Sequence, residues 1–218
     1  MIEDKETTNK DVDYSVRKLN TYRLQALITF SGHKVLDVGC GNGAYVFALS
    51  KSHDIHGADY ARFDSWQKKE SAFFVCDAQN LTCNEASYDT ISAFETLEHL
   101  PEPRKALKEF HKACTKNIII TVPNCELTSG MEKSRLIFYH WIDRTHVNFW
   151  DEKSICQLVE DCEFKVIHVE KINNVSVGHI VMESLGLKGF VANLGANIFN
   201  RISRKKYPMT LLVVADKG

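Results

Sequence analysis

The side chains best equipped for chemistry in this 218-residue sequence lie in two short stretches. The first, FETLEHL from Phe94 to Leu100, spaces Glu95 and Glu98 three residues apart and Glu95 and His99 four apart, so that on a helix they share one face. The second, HWIDRTHVNFW from His140 to Trp150, adds His140, Asp143 and His146. Two carboxylates with two imidazoles suit a divalent cation such as Mg, Mn, Fe or Zn, and ligand type alone does not choose among them. The same groups also suit proton transfer: a histidine is a general base near neutral pH, and an aspartate can orient it. Either form of help would turn a protonated hydroxyl, a poor nucleophile, into a useful one.

A third stretch, VLDVGCGNG from Val35 to Gly43, points to a bound molecule. A glycine turn straight after an apolar β-type run normally cradles phosphate with its amides. Here Gly39, Gly41 and Gly43 are spaced GxGxG, without the third position of the dinucleotide fingerprint, and Asp37 in front of them would repel phosphate and favour a cation. A ligand with an ammonium and a sulfonium but no phosphate meets that demand, and S-adenosylmethionine is such a ligand. Asp59 in IHGADY, at the end of the second expected strand and 22 residues after Asp37, is placed to hydrogen-bond ribose hydroxyls, an acid expected about 20 residues on. Its ordinary alternative is a helix cap. Asp77 in FFVCDAQNL follows a further apolar run, where a plain turn aspartate is the alternative.

VLDVGCGNG resembles the first motif of the class I S-adenosylmethionine-dependent methyltransferases, and the resemblance runs from about Tyr14 to the C-terminus. It implies a seven-stranded, mostly parallel α/β sheet of Rossmann type with helices on both faces and the last strand antiparallel. It also implies a donor site formed by Asp37, Gly39, Gly41, Gly43, Asp59, Tyr60, Asp77, Ala78 and Glu95, with Asp77 and the Ala78 amide on the adenine. The ExxEH pattern with a later histidine is similar to two O-methyltransferase groups, the ubiquinone-biosynthesis enzymes and the terminal-ribose methyltransferases of small RNAs. That likeness implies a divalent metal on Glu95, Glu98, His99 and His146. DRTHVNFW, followed by a capped helix and CEFKV, also resembles bacterial methyltransferases of sugars and other small hydroxyl compounds. There His146 would be a general base, oriented by Asp143, and the EH pair, His99 included, would shape the donor pocket or serve as a base. The expected reaction is methylation of a hydroxyl on a small molecule or glycan. RNA terminal methylation and a non-catalytic donor-binding module are the competing expectations.

Positioning these residues requires an alternation of strands and helices. Apolar runs at Lys34–Val38, Ile55–Ala58, Ala72–Cys76, Asp89–Phe94, Asn117–Val122, Phe164–Val169 and Met209–Ala215 read as strands. Between them fall helical patterns: Ser15–Phe30 with Val16, Leu19, Leu27 and Ile28; a helix opened by Pro101 and Pro103 with the stripe Ala106, Leu107, Phe110 and Cys114; and a helix capped by Asp151 with Ile155, Leu158, Val159 and Cys162. No repeat or linker divides them, so residues 14–218 are expected to form one domain behind a loose acidic tail, 1–13, that has no apolar core of the signal-peptide kind. Seven cysteines without a CxxC pair fit a reducing cytoplasm. The formal net charge of -1 argues against nucleic acid, which normally demands a broad basic surface.

An insertion over 176–208 exceeds what the fold needs. In it Leu187, Val191, Leu194, Ile198 and Ile202 make a helical stripe, and from Ser184 to Lys206 there are five basic residues and no acidic one. A helix capping the core, a lid over the acceptor loosened by Gly186, Gly189 and Gly195, or a surface for a membrane or lipid-linked substrate through 184–206 are the expectations.

Overall fold

In the computed structural model, which describes residues 18–134, 143–203 and 206–218, all seven apolar runs become strands of one sheet. The elements in chain order are α1 (Thr21–Phe30), β1 (Lys34–Val38), α2 (Ala44–Leu49), β2 (Asp54–Asp59), β3 (Phe73–Val75), β4 (Tyr88–Phe94), α3 (Pro103–Ala113) and β5 (Cys114–Pro123). There follow α4 (Ser129–Ser134), α5 (Glu152–Glu160), β6 (Phe164–Asn174), α6 (Val177–Ser184), α7 (Gly189–Ile202) and β7 (Pro208–Lys217), and 3-10 segments occupy Asp64–Ala72 and Leu97–His99. The sheet order is β3-β2-β1-β4-β5-β7-β6. Neighbours from β3 to β5 pair in parallel, whereas β7 runs antiparallel to both β5 and β6.

Side-chain alternation along the strands buries both faces of this sheet, as helices on either side require. Ile118, Ile120 and Val122 of β5 join Leu36, Val38, Leu107, Phe110 and Ile155 in one core, while Ile119 turns to the other face with Val35, Leu27, Tyr45 and Val46. Each such aliphatic side chain contributes roughly 1.5–3 kcal/mol on full burial, so the two layers hold the strand ends, and therefore the loops, in fixed positions.

Several boundaries differ from the sequence reading; β7, for example, runs Pro208–Lys217, and α5 ends at Glu160, before Cys162. α1 starts at Thr21, because the Asn20 side chain accepts the Tyr22 and Arg23 amides and caps the helix there; Leu19 and Ile28 are exposed, and Val16 lies outside the described residues. Cys114 belongs to the buried stripe after α3 but as the first residue of β5. β6 continues past Val169 to Asn174, since an edge strand can place Glu170 and Lys171 in solvent while its backbone still pairs with β7. The Asp151 cap is a reciprocal box with Ser154, and α3 carries Pro at its start. The tail 1–13 and His140 lie outside the described residues.

Candidate active site

The carboxyl ends of the parallel strands open into one cavity of about 950 Å³, where an open α/β sheet places its ligands. One wall is the glycine turn. Gly39, Gly41 and Gly43 have φ of +70°, +53° and +78°, the left-handed region that side chains resist. A Cβ at Gly39 would collide with the Thr96 hydroxyl, and one at Gly43 would stand 2.5 Å from the Phe73 ring. Gly39 and Gly41 line the cavity, but Gly43 does not: it starts α2 and lets that helix pack against β3. Asp37 is likewise behind the wall, fully buried, with Oδ1 accepting the Ser92 hydroxyl at 2.9 Å.

The acids that reach the cavity are further along. Asp59 accepts the Gly41 amide at 2.8 Å and the Ala61 amide at 3.2 Å, so it pins the turn to the end of β2 while still lining the space. Trp66 Nε1 donates to the Gly41 carbonyl at 2.8 Å and holds the turn from the other side. Asp77 accepts the Gln79 amide at 2.8 Å, and buried Ala78 and largely exposed Tyr60 complete this part of the rim.

Sequence spacing placed Glu95, Glu98 and His99 on one helical face, but the backbone does otherwise. Glu95 has φ +48°, an uncommon conformation for a side-chain-bearing residue, and only Leu97–His99 forms a 3-10 segment. Glu95 therefore leaves the direction of its neighbours, and Arg23 Nη2 donates to its carboxylate at 2.7 Å. Arg23 was missed from sequence. Its signal was its position, since Arg23, Ala26 and Leu27 are the buried face of α1, where a cation has no place unless it is used. The Arg23 side chain is 10% exposed, and its Nε has no hydrogen-bond partner among the described residues.

Glu98, His99 and His146 do come together, with ligand atoms within 4.8 Å of one another; Glu95 is outside that group. The His99 and His146 rings meet edge to face at 4.7 Å between centroids. The loop after residue 142 is clamped to the 3-10 segment: the Val147 and Asn148 amides donate to the Glu98 carbonyl, and the Asn148 side chain donates to the Leu100 carbonyl at 2.6 Å. Asp143 accepts the Thr145 hydroxyl at 2.6 Å and stands 3.7 Å from His146 Nε2. His99 Nδ1 lies 3.0 Å from the same hydroxyl. Burial, followed by the neighbouring His146, lowers the His99 pKa below its ordinary value, which favours the neutral ring that can bind a cation or take a proton. Asp143, His99 and His146 all line the cavity that holds the glycine turn.

The sheet order, the glycine turn and the acids at the ends of β2 and β3 together define a Rossmann-like fold of the class I methyltransferase kind. A model of the methyltransferase domain matches residues 10–169, and the chain belongs to that family. It is 34% identical over 106 residues to a ubiquinone biosynthesis O-methyltransferase of Coxiella burnetii, a match covering 41% of this chain and 44% of that protein. The chain thus spans less than half the length of that curated relative. It is also 22% identical over 179 residues to an O-methyltransferase of Aspergillus nomiae, covering 76% and 79% of the two chains. Among solved structures it is similar to an S-adenosylmethionine-dependent methyltransferase from Archaeoglobus fulgidus, with a TM-score of 0.63 at 20% identity over 90% of this chain and 92% of that one. The expected fold class and family are borne out.

Proposed function

We propose that this chain transfers a methyl group from S-adenosylmethionine to a hydroxyl of a small molecule or glycan, and that Glu98, His99 and His146 activate that hydroxyl. The observation that carries the reading is that the three-residue cluster and the glycine turn share one cavity. Its volume of about 950 Å³ is at the upper end of roughly 300–1,000 Å³ for small-molecule pockets, enough for a donor and a small acceptor side by side.

On the donor side, Asp59 would accept from the ribose hydroxyls while keeping the turn in place, and Asp77 and the Ala78 amide would meet the adenine. The Arg23–Glu95 pair in the wall is complementary to a zwitterionic amino-acid end: guanidinium to carboxylate, Glu95 to ammonium. On the acceptor side, the O–H proton passes to His146, which Asp143 orients, as the oxygen attacks the methyl carbon. The carbon–sulfur bond breaks, its electron pair returns to sulfur, and neutral S-adenosylhomocysteine leaves. Because the sulfonium is already activated, alignment supplies much of the rate.

The donor set of the cluster, one buried carboxylate and two imidazoles, fits a divalent cation. Three equivalent ligands about 2.0–2.2 Å from one ion stand at most about 3.8 Å from one another, so these atoms, now within 4.8 Å of one another, would have to draw together by up to about 1 Å. A divalent ion there would acidify the bound hydroxyl. Glu98, His99 and His146 would hold it, and Glu95 would remain with Arg23.

Methyl transfer from isotopically labelled donor to a panel of phenols, catechols, sugars, amines and thiols tests the reading. Label appearing on an oxygen supports it, and label found only on nitrogen or sulfur acceptors overturns it. On the donor side, Asp59→Ala is expected to weaken donor binding by about 1–3 kcal/mol, because a charge-assisted bond is lost. Arg23→Ala is expected to weaken it roughly 10- to 100-fold by the loss of the carboxylate contact. Calorimetric affinities equal to wild type would remove these residues from the donor site.

A further inference from the structure

The insertion does not cap the core. α6 and α7 pack on each other through their glycines: a Cβ at Gly178 would strike the Ala196 backbone, and one at Gly195 would stand 2.5 Å from Met182 Sδ. Asn200 locks the pair, accepting the Gly178 amide at 2.8 Å and donating to the Ser176 hydroxyl at 2.7 Å. Gly195 is thus a packing residue, whereas Gly186 and Gly189 take the positive φ of the turn between the helices. Only Gly178 and Ala196 of the two helices are buried.

The apolar stripe faces the other way. Phe190, Leu194, Ile198 and Ile202 recur every four residues along α7 and form one ridge, with Val191 beside it. Phe190 is 81% exposed, Ile202 71% and Val191 60%, and Leu185 in the turn is 67% exposed. An apolar surface this continuous marks an interaction site. The charges of the hairpin are mostly basic. From Val177 to Lys206 the sequence has five basic residues and one acidic, Glu183 near the end of α6, and Lys188, Arg201 and Lys206 are exposed. Lys188 and Arg201 each lie three positions from a ridge residue, Val191 and Ile198. An apolar ridge on a hairpin with an excess of cations over its single acid complements an anionic bilayer, whose interior accepts the ridge while its headgroups meet the lysines and arginine. No helix among the described residues is long and apolar enough to cross a membrane.

We infer that the α6–α7 hairpin docks the chain peripherally on anionic lipid, with the Phe190–Ile202 ridge inserted among the acyl chains. This does not depend on the donor reading. It has one consequence that does: the chain re-enters the sheet at Pro208, and the next residues, Met209 and Thr210, line the cavity. Docking therefore brings an acceptor that partitions into the bilayer close to the methyl donor.

Vesicle flotation of the full chain tests the inference. The wild type is expected to float with vesicles of equal phosphatidylcholine and phosphatidylglycerol, to stay at the bottom with phosphatidylcholine alone, and to bind less as salt rises. Phe190→Glu with Leu194→Glu should weaken binding roughly tenfold or more, with an unchanged circular dichroism spectrum because both side chains are exposed. Wild-type chain that stays at the bottom with the anionic vesicles overturns the inference, as does a double variant that floats equally well. Self-association that the double variant abolishes, without vesicle binding by the wild type, would assign the ridge to a second copy and overturn it too.

Discussion

Alanine at His146 lowers methyl transfer by roughly 10² to 10⁴ and leaves donor affinity near that of the wild type. His146 is held by a loop whose amides are tied to the Glu98 carbonyl, so truncating the ring removes the proton acceptor without freeing the loop. Asp59, Asp77 and Arg23, which we propose hold the donor, line the same cavity and are unchanged in this variant. Chelation separates the two ways His146 can act. With a cation on Glu98, His99 and His146, chelator-treated protein binds donor but does not turn over, and a divalent ion restores the rate. With His146 as the base alone, chelator has no effect on the wild type and the alanine variant stays slow whether or not a divalent ion is added. A fully active His146→Ala protein that also ignores chelator contradicts both, and the acceptor would then be an amine or thiolate that needs no activation.

Valine at Gly41 abolishes donor binding and preserves the fold. Gly41 lines the cavity at φ +53°, where a β-branched side chain is strained and projects from the turn that meets the ligand. The strain costs about 1–2 kcal/mol, small against the roughly 5–15 kcal/mol of a domain, so the variant should still unfold cooperatively. Donor titration that matches wild type would mean that this cavity is not the donor site.

The sheet was legible because each inner strand is an apolar run bounded by turn residues, and the parallel strands β1 and β4 match their expected positions to within one residue at each end. The far end of β6 was not, since an edge strand half in solvent writes a polar pattern. The site divides in the same way. Glu98 and His99 were legible because they follow the apolar run of β4, and His146 through the resemblance carried by its loop, which the fold brings to them. Spacing misplaced Glu95, whose left-handed backbone breaks the helical face that the spacing assumed. It missed Arg23, because a lone cation within an apolar stripe carries no motif. Asp37 and Gly43 lie outside the cavity lining, Asp37 against Ser92 of β4 and Gly43 against Phe73 of β3, and no spacing rule records that. The insertion's stripe was correctly seen as helical in α7, yet only the packing of Gly178 against Ala196 reveals which side of it faces water.

The most direct test of the account is a crystal structure of the full chain with S-adenosylhomocysteine. The nucleoside is expected along Asp59 and Asp77, the amino-acid end at Arg23 and Glu95, and the sulfur facing Glu98, His99 and His146 across the space left for an acceptor. A sulfur turned away from that cluster, or a ligand bound outside the cavity, would contradict it.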